Sequence, residues 1–272
     1  MTLSIIGSAP SVPGPRERRP SKESYVNYRK IKPSSRESRA RADLTALFAA
    51  RPIPDEDLLD HIEVFMRPQR IGEILALNSL YQEITAVHGI IVEFGVRWGR
   101  HLSVFNALRT FYEPTNFYRK IVGFDTFQGF LEPSPLDGES DRVYSGSMAV
   151  TPDYAAYLEK ILVLQEAETS MSHIRRFELC AGDAPAELEK YLARNPDTIV
   201  ALAYFDMDLH DPTLSCLDLL RPHMPVGSVI AFDELMHPDF PGEAIALKSA
   251  VDITKHRIRR SPHSPYPAYI VL

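Results

Sequence analysis

Cysteine is scarce in this chain: Cys180 and Cys216 are the whole supply. Two thiols cannot build a disulfide framework, and their spacing is wrong for zinc. A reducing, cytoplasmic setting is the simplest expectation. No uncharged apolar run approaches the roughly 18 residues that a membrane span needs. Met1 to Pro10 lacks a basic stretch leading into an apolar core, so no secretory leader is expected. The Gly-x-Gly-x-x-Gly run preferred by nicotinamide dehydrogenases is absent. No internal repeat is visible. What remains is ordinary globular material: 272 residues, 44% hydrophobic and 24% charged. That length suits one large domain, or a domain with an extension.

Charge is unevenly spread. Residues 1 to 41 hold ten Lys or Arg against three Glu, a net +7, so the remainder carries −13. A basic arm can bind a polyanion. It can equally be a solvated extension, or a segment packed on a neighbouring subunit. The arm is rich in Pro and Ser, with only Tyr25 and Tyr28 available to stack, and the body is acidic. No nucleic-acid partner is therefore expected, and a homo-oligomer is. Residues 1–50 form this extension and 51–272 the working domain.

From Ser38 to Ile84 the spacing becomes helical. Leu58, Leu59, Ile62, Phe65 and Met66 make one stripe, and Ile74, Leu75, Leu77, Leu80, Tyr81 and Ile84 another. Both are expected to be core or a cover over a cleft. Strands are then expected at Gly89–Phe94, Lys120–Asp125, Arg175–Cys180, Thr198–Phe205 and Ser228–Phe232. Helices are expected between them at His101–Phe111, Asp153–Leu164, Pro185–Ala193 and Leu214–Leu220. Such alternation implies an α/β fold with a mostly parallel sheet. A helix at Gly242–Thr254 and a C-terminal antiparallel pair, His256–Arg260 with Ala268–Leu272, should follow. The polar run from Pro133 to Thr151 has the length of a lid, or of a mobile insertion. The lid region is taken as about 133–170.

The chemistry sits at strand ends. Glu93 closes the first strand and leads into a turn holding Gly95 and Gly99. Asp125 closes the second, Asp206 and Asp208 follow the fourth, and Asp233 and Glu234 follow the fifth. Ligands of open parallel sheets bind outside the carboxyl ends of the strands. Glycines let the backbone approach a ligand, and an acid on the next strand can hold a ribose diol. Six acids in one crevice call for positive charge: a divalent cation, a sulfonium, or nearby Arg and Lys. Asp206, Asp233 and Glu234 are a hard-oxygen set for Mg²⁺. The competing reading is helix N-capping, which explains single acids better than pairs. His210 and His237 follow two of these acids and could serve as bases. Loop hydrogen bonding is their commoner role. His88, His101 and His223 show no partner.

The stretch Glu93-Phe94-Gly95-Val96-Arg97-Trp98-Gly99 resembles the Glu-x-Gly-x-x-x-Gly turn of class I S-adenosylmethionine methyltransferases. Asp125-Thr126-Phe127-Gln128-Gly129-Phe130 and Asp206-Met207-Asp208-Leu209-His210-Asp211-Pro212-Thr213 are similar to two motifs of the macrocin-type sugar O-methyltransferases, enzymes of antibiotic biosynthesis. The resemblance runs from about Gly89 to the C-terminus and leans toward deoxysugar enzymes of the rhamnose kind. It implies a Rossmann-like methyltransferase domain that uses S-adenosyl-L-methionine and Mg²⁺ on a small-molecule sugar, free, nucleotide-linked or glycosidic. By that resemblance Glu93, Gly95, Gly99, Asp125, Thr126, Gly182 and Asp183 bind the cofactor. Asp206, Asp233 and Glu234 hold the metal, and Asp208, with His210 beside it, is catalytic. The chain departs from the pattern in three places: Asp233-Glu234 replaces Asp-Asp, His210 replaces Tyr, and Arg97 and Trp98 are exchanged in order. A nicotinamide oxidoreductase and a non-catalytic S-adenosylmethionine-binding protein are the alternatives.

Overall fold

A computed structural model describes residues 34–272. Most of the basic arm therefore lies outside the described residues. The first described helix, α1 (Ser35–Ala49), opens on a capping box between Ser34 and Glu37 and buries none of its residues. A short helix, α2 (Asp55–Leu58), and a 3₁₀ stretch (Leu59–Phe65) follow. The first apolar stripe falls here and is not core: Leu59 is 81% exposed and no residue of either element is buried. The second stripe falls on α3 (Pro68–Ile84), where Leu77, Leu80, Tyr81 and Ile84 are buried.

The remainder is the expected alternation: β1 (Ile90–Phe94), α4 (Arg100–Tyr112), β2 (Ile121–Asp125), α5 (Tyr154–Ala167), β3 (Phe177–Ala181), α6 (Ala184–Arg194), β4 (Val200–Phe205), α7 (His210–Leu220), β5 (Val229–Phe232), α8 (Gly242–Ala250), β6 (Arg259–Arg260) and β7 (Ala268–Val271). One seven-stranded sheet has the order β3-β2-β1-β4-β5-β7-β6. Strands β1 to β5 are parallel, and β7 runs antiparallel to both β5 and β6. Strand order reverses between β1 and β4, so the crevice for a ligand opens above their carboxyl ends.

Two helices differ from expectation for local reasons. Helix α7 begins at His210, four residues early, because Pro212 is tolerated within a first helical turn. Helix α8 stops at Ala250 because Val251 is already extended.

The sheet orients the acids through its period of two. Phe94, Phe124, Phe205 and Phe232 stand in register across four adjacent strands. Their rings stack at centroid distances of 5.1, 4.9 and 5.3 Å. They pack into the apolar cluster on one face, with Leu188, Leu217 and Leu247. Glu93, Asp125, Asp206 and Asp233 are each one residue away from a member of that row. Alternation therefore sends all four carboxylates toward the other face, where α3 and α4 lie.

Candidate functional site

Above the carboxyl ends of the strands lies a cavity of about 1060 Å³. Its wall includes Gly95, Asp125, Thr126, Asp183, Asp206, Asp208, Asp233 and Glu234, brought together from widely separated parts of the chain. Gly95, at φ +86°, lets β1 turn tightly against β4; a Cβ there would collide with the Asp206 carbonyl. Gly99, at φ +79°, starts α4 where a Cβ would strike Leu158. It shapes the turn from behind the cavity wall. Asp125 is fixed by the chain it faces: its Oδ2 accepts from Arg97 N at 2.6 Å and its Oδ1 from Phe127 N at 2.5 Å. Burial still lifts its carboxyl above the ordinary value, against those donors. Thr126 Oγ1 donates to the Gly129 carbonyl and shapes the following turn. Asp183 caps α6, its Oδ2 accepting from Ala186 N at 3.4 Å. Gly182 meets Glu187 and does not line the cavity.

The floor is short of positive charge. Glu93 is fully buried, and neither carboxylate oxygen has a hydrogen-bond partner among the described residues; burial pushes its pKa up. Asp206 is raised well above its usual range by burial and by the charges of Asp233 and Asp208. Asp208, at the left-handed φ of +62°, is buried with Oδ1 unpartnered. Its carboxyl is pushed up to about 8, first by burial and then by Glu234 and Asp233. Glu234 rises to about 7 for the same kind of reason, burial and then Asp233, and its Oε2 is unpartnered. Asp233 accepts the Tyr204 hydroxyl at 2.6 Å.

His101, for which the sequence offered no partner, stands in the middle of this cluster. Its Nδ1 is 3.3 Å from Glu93 Oε1 and 3.6 Å from Asp206 Oδ2, and its Nε2 is 4.0 Å from Asp233 Oδ1. Donor atoms of His101, Asp206 and Asp233 lie within 4.8 Å of one another, the spacing of a metal site. The expected third ligand, Glu234, lies beyond that group but still on the cavity wall. The donors suit a hard divalent cation: two of the three are carboxylates, and Asp206 is held well above its usual range by burial and then by the charges of Asp233 and Asp208.

Glu243 on α8 was also missed. It is buried and pushed well up by burial and by Asp208, and its Oε1 accepts from Met207 N at 3.0 Å and Asp208 N at 3.3 Å. It thereby fixes the backbone that carries Asp208.

His210 is placed differently from the expectation. It is the first residue of α7, its N–H donates to Asp137 Oδ1 at 2.5 Å, and its Nδ1 lies 2.6 Å from Asp211 Oδ1. It does not line the cavity, because the early start of α7 turns its ring toward Asp211. His237 faces Glu234 Oε2 at 3.6 Å.

An open sheet with its switch between β1 and β4, a glycine turn beside a large cavity and acids at the strand ends match the arrangement expected of an S-adenosylmethionine-dependent methyltransferase. No protein-family model matches the chain, and no curated protein does. Among solved structures, the calicheamicin methyltransferase CalS11 is 41% identical, with a TM-score of 0.86 over 89% of this chain and 94% of that one. A structure of CalS11 described as a TDP-rhamnose 3'-O-methyltransferase is 38% identical, with a TM-score of 0.78 over 89% and 96%. The O-methyltransferase NovP shares the fold at 16% identity, with a TM-score of 0.51 over 74% and 79%. The chain belongs to the family of sugar O-methyltransferases that includes CalS11.

Proposed function

We propose that the protein transfers the methyl group of S-adenosylmethionine to a hydroxyl of a deoxysugar in antibiotic biosynthesis. The observation that carries this reading is the convergence of strand-end carboxylates from β2, β4 and β5, Asp125, Asp206 and Asp233, on one cavity, in a chain 41% identical to a calicheamicin enzyme. Asp125 would hold the cofactor's ribose diol and the turn from Glu93 to Gly99 its amino-acid end, with Thr126 and Asp183 on the adenosine side. The methyl carbon bonds to the sugar oxygen as the sulfur–carbon bond breaks, and the thioether leaves with the electron pair. Asp208, which lines the cavity and whose buried Oδ1 has no partner, takes the hydroxyl proton. Asp206 and Asp233 would hold a divalent cation such as Mg²⁺, with Glu234 on the cavity wall beside them. That cation supplies orientation of vicinal hydroxyls and a lower pKa for the attacking one.

Around this centre, residues 51–272 form the catalytic domain. The lid runs over about 133–170: Asp137 is buried and pins the loop to α7 and to Ser134 N, while Arg142 and Met148 reach the cavity wall. Residues 1–50 are an extension, consistent with the absence of any buried residue in α1. A homo-oligomer is supported by the apolar residues left exposed before β1, including Leu47, Leu59 and Val64. Among the described residues no helix is long and apolar enough to cross a membrane. Both cysteines are free and buried, which suits a reducing, cytoplasmic compartment.

The test is incubation with S-adenosylmethionine, Mg²⁺ and TDP-rhamnose. Production of S-adenosylhomocysteine with a singly O-methylated sugar is expected. Tight cofactor binding with no transfer to any rhamnose derivative would overturn the reading and leave a cofactor-binding protein.

A further inference from the structure

Asp137 is a buried acid that the methyl transfer described above leaves idle. It closes a short 3₁₀ turn (Pro135–Asp137) in the lid, yet it is only 1% exposed. Its Oδ2 accepts from Ser134 N at 2.6 Å, within its own turn. Its Oδ1 reaches out of the lid and accepts from His210 N at 2.5 Å, 73 residues along the chain. That second bond supplies what α7 lacks. The residue before the first turn of α7 is Leu209, whose side chain makes no capping hydrogen bond. The lid provides the missing cap.

The capped residue is two positions past Asp208, which holds the left-handed φ of +62°. A residue other than glycine keeps that conformation only where its surroundings fix it. Here every amide from Met207 to His210 is fixed. Glu243 Oε1 on α8 accepts from Met207 N at 3.0 Å and from Asp208 N at 3.3 Å. Leu209 N donates to the Met207 carbonyl at 2.7 Å, and Asp137 takes His210 N. The two acids close on the turn like jaws, and the jaws touch. A Cβ on Gly242 would lie 2.6 Å from Asp137 Oδ1, from the Asp208 carbonyl and from His210 N. The lid, α8 and the turn therefore meet with no room for a methyl group. Further along the lid, Arg142 rests on the buried Phe240 ring, 4.8 Å from its centroid, which ties the lid to the chain after β5 as well.

Accepting Asp208 as the base of the methyl transfer, we propose that Asp137 is a positioning residue. The carboxyl group of the lid, opposed by Glu243, clamps the Met207–His210 turn and so aims Asp208 into the cavity. Seating the lid and presenting the base are then one event. With the lid lifted, α7 loses its cap, the turn relaxes out of its left-handed conformation and the base swings away from the acceptor hydroxyl.

A double-mutant cycle tests this, with an exchange measurement beside it. Asp137→Ala should lower kcat about 10- to 100-fold, the scale of a lost hydrogen bond to a charged group. In an Asp208→Asn background the same change should cost less than about twofold, because the group it aims is gone. S-adenosylhomocysteine affinity should match wild type. Asp137→Asn, which keeps an acceptor for the His210 N–H, should recover most of the kcat. Gly242→Ala wedges the jaws apart and removes no charge. It should repeat the result of the cycle, and it decides the matter if Asp137→Ala does not fold. Hydrogen exchange of the Met207–His210 amides in ligand-free protein should quicken about tenfold or more in Asp137→Ala and in Gly242→Ala. Equal kcat losses in the two backgrounds would make Asp137 an ordinary fold contact and overturn the proposal, and so would unchanged exchange at His210. Exchange is read without turnover. A wild type that methylates no sugar would therefore sink the methyltransferase reading and still leave the clamp decided.

Discussion

The two ends of the sheet bury charge in opposite ways. At the amino end, Arg109, Arg119 and Arg176 are almost fully buried, and each guanidinium meets a carboxylate, Arg176 facing Glu166 at 3.5 Å. Arg109 Nη2 lies 2.9 Å from Glu166, and its Nη1 donates to the carbonyls of Arg119 and Arg176. Arg119 pairs with Glu113 at 2.8 Å and donates to the carbonyls of Ile84 and Val87. At the carboxyl end, Glu93, Asp206, Asp208, Glu234 and Glu243 crowd together, their protonated forms favoured by burial and mutual repulsion. A buried charge with partners holds a fold, and a buried charge without them marks a place where a ligand supplies the partner.

The contrast can be broken at either end. The largest expected effect is at the amino end. Glu166→Gln strands Arg109 and Arg176 and should cost about 3–5 kcal/mol in urea unfolding, as removal of one member of a buried pair does. A loss under roughly 1 kcal/mol, the level of a surface pair, would remove the distinction. At the carboxyl end the loss should be catalytic. Asp208→Asn should lower kcat about 100- to 1000-fold, the scale of a general base, while S-adenosylhomocysteine affinity stays as in wild type. A kcat within a few fold of wild type would take the base role from Asp208.

Asp125→Ala should show the reverse pattern. Cofactor affinity should drop roughly 10- to 100-fold by calorimetry, on the scale of hydrogen bonds to a charged acceptor, with turnover recovering at saturating cofactor. Unchanged affinity would remove the ribose assignment.

A further contrast is a pH dependence of opposite sign at the two ends. Burial would raise Glu113, but Arg119, Tyr81 and Asn116 donate to it and hold it below its usual 4.5. It therefore stabilises the fold above that pH, and the contribution is lost as acid protonates it. Asp208 goes from 3.8 to about 8 and Glu234 from 4.5 to about 7. The folded state holds more protons than the unfolded one across those windows, so metal-free protein should lose stability as pH climbs from about 4 to about 8. Each kcal/mol lost should appear as roughly 2–4 °C in the melting temperature. Asp208→Asn should flatten that slope, and an unchanged slope would show that the acids are not coupled as described.

Much of this was legible in the sequence, because strand ends announce themselves. Glu93, Asp125, Asp206 and Asp233 each terminate an apolar run, and the parallel sheet follows from the alternation of elements. A further signal was present: Phe-Asp occurs at the ends of β2, β4 and β5, and the period of two then fixes which face the acids take. Other contributors carry no local mark. His101 joins the floor only because α4 starts at Arg100 directly above β1, and Glu243 only because α8 packs against α7. His210 misled for the converse reason, since adjacency to a motif does not say which way a ring points once a helix begins at that residue. The first apolar stripe is not core, because helical spacing reveals an apolar face but not what covers it.

The central claim is that the acidic end of the sheet works by receiving cations. The most direct measurement compares methyl transfer to TDP-rhamnose by chelator-stripped wild type, by the same protein with Mg²⁺ restored, and by Asp206→Asn. Transfer should vanish on stripping, return with Mg²⁺ and stay absent in Asp206→Asn, which still binds S-adenosylhomocysteine and melts no lower than wild type. Full transfer by the stripped enzyme and by Asp206→Asn would contradict it.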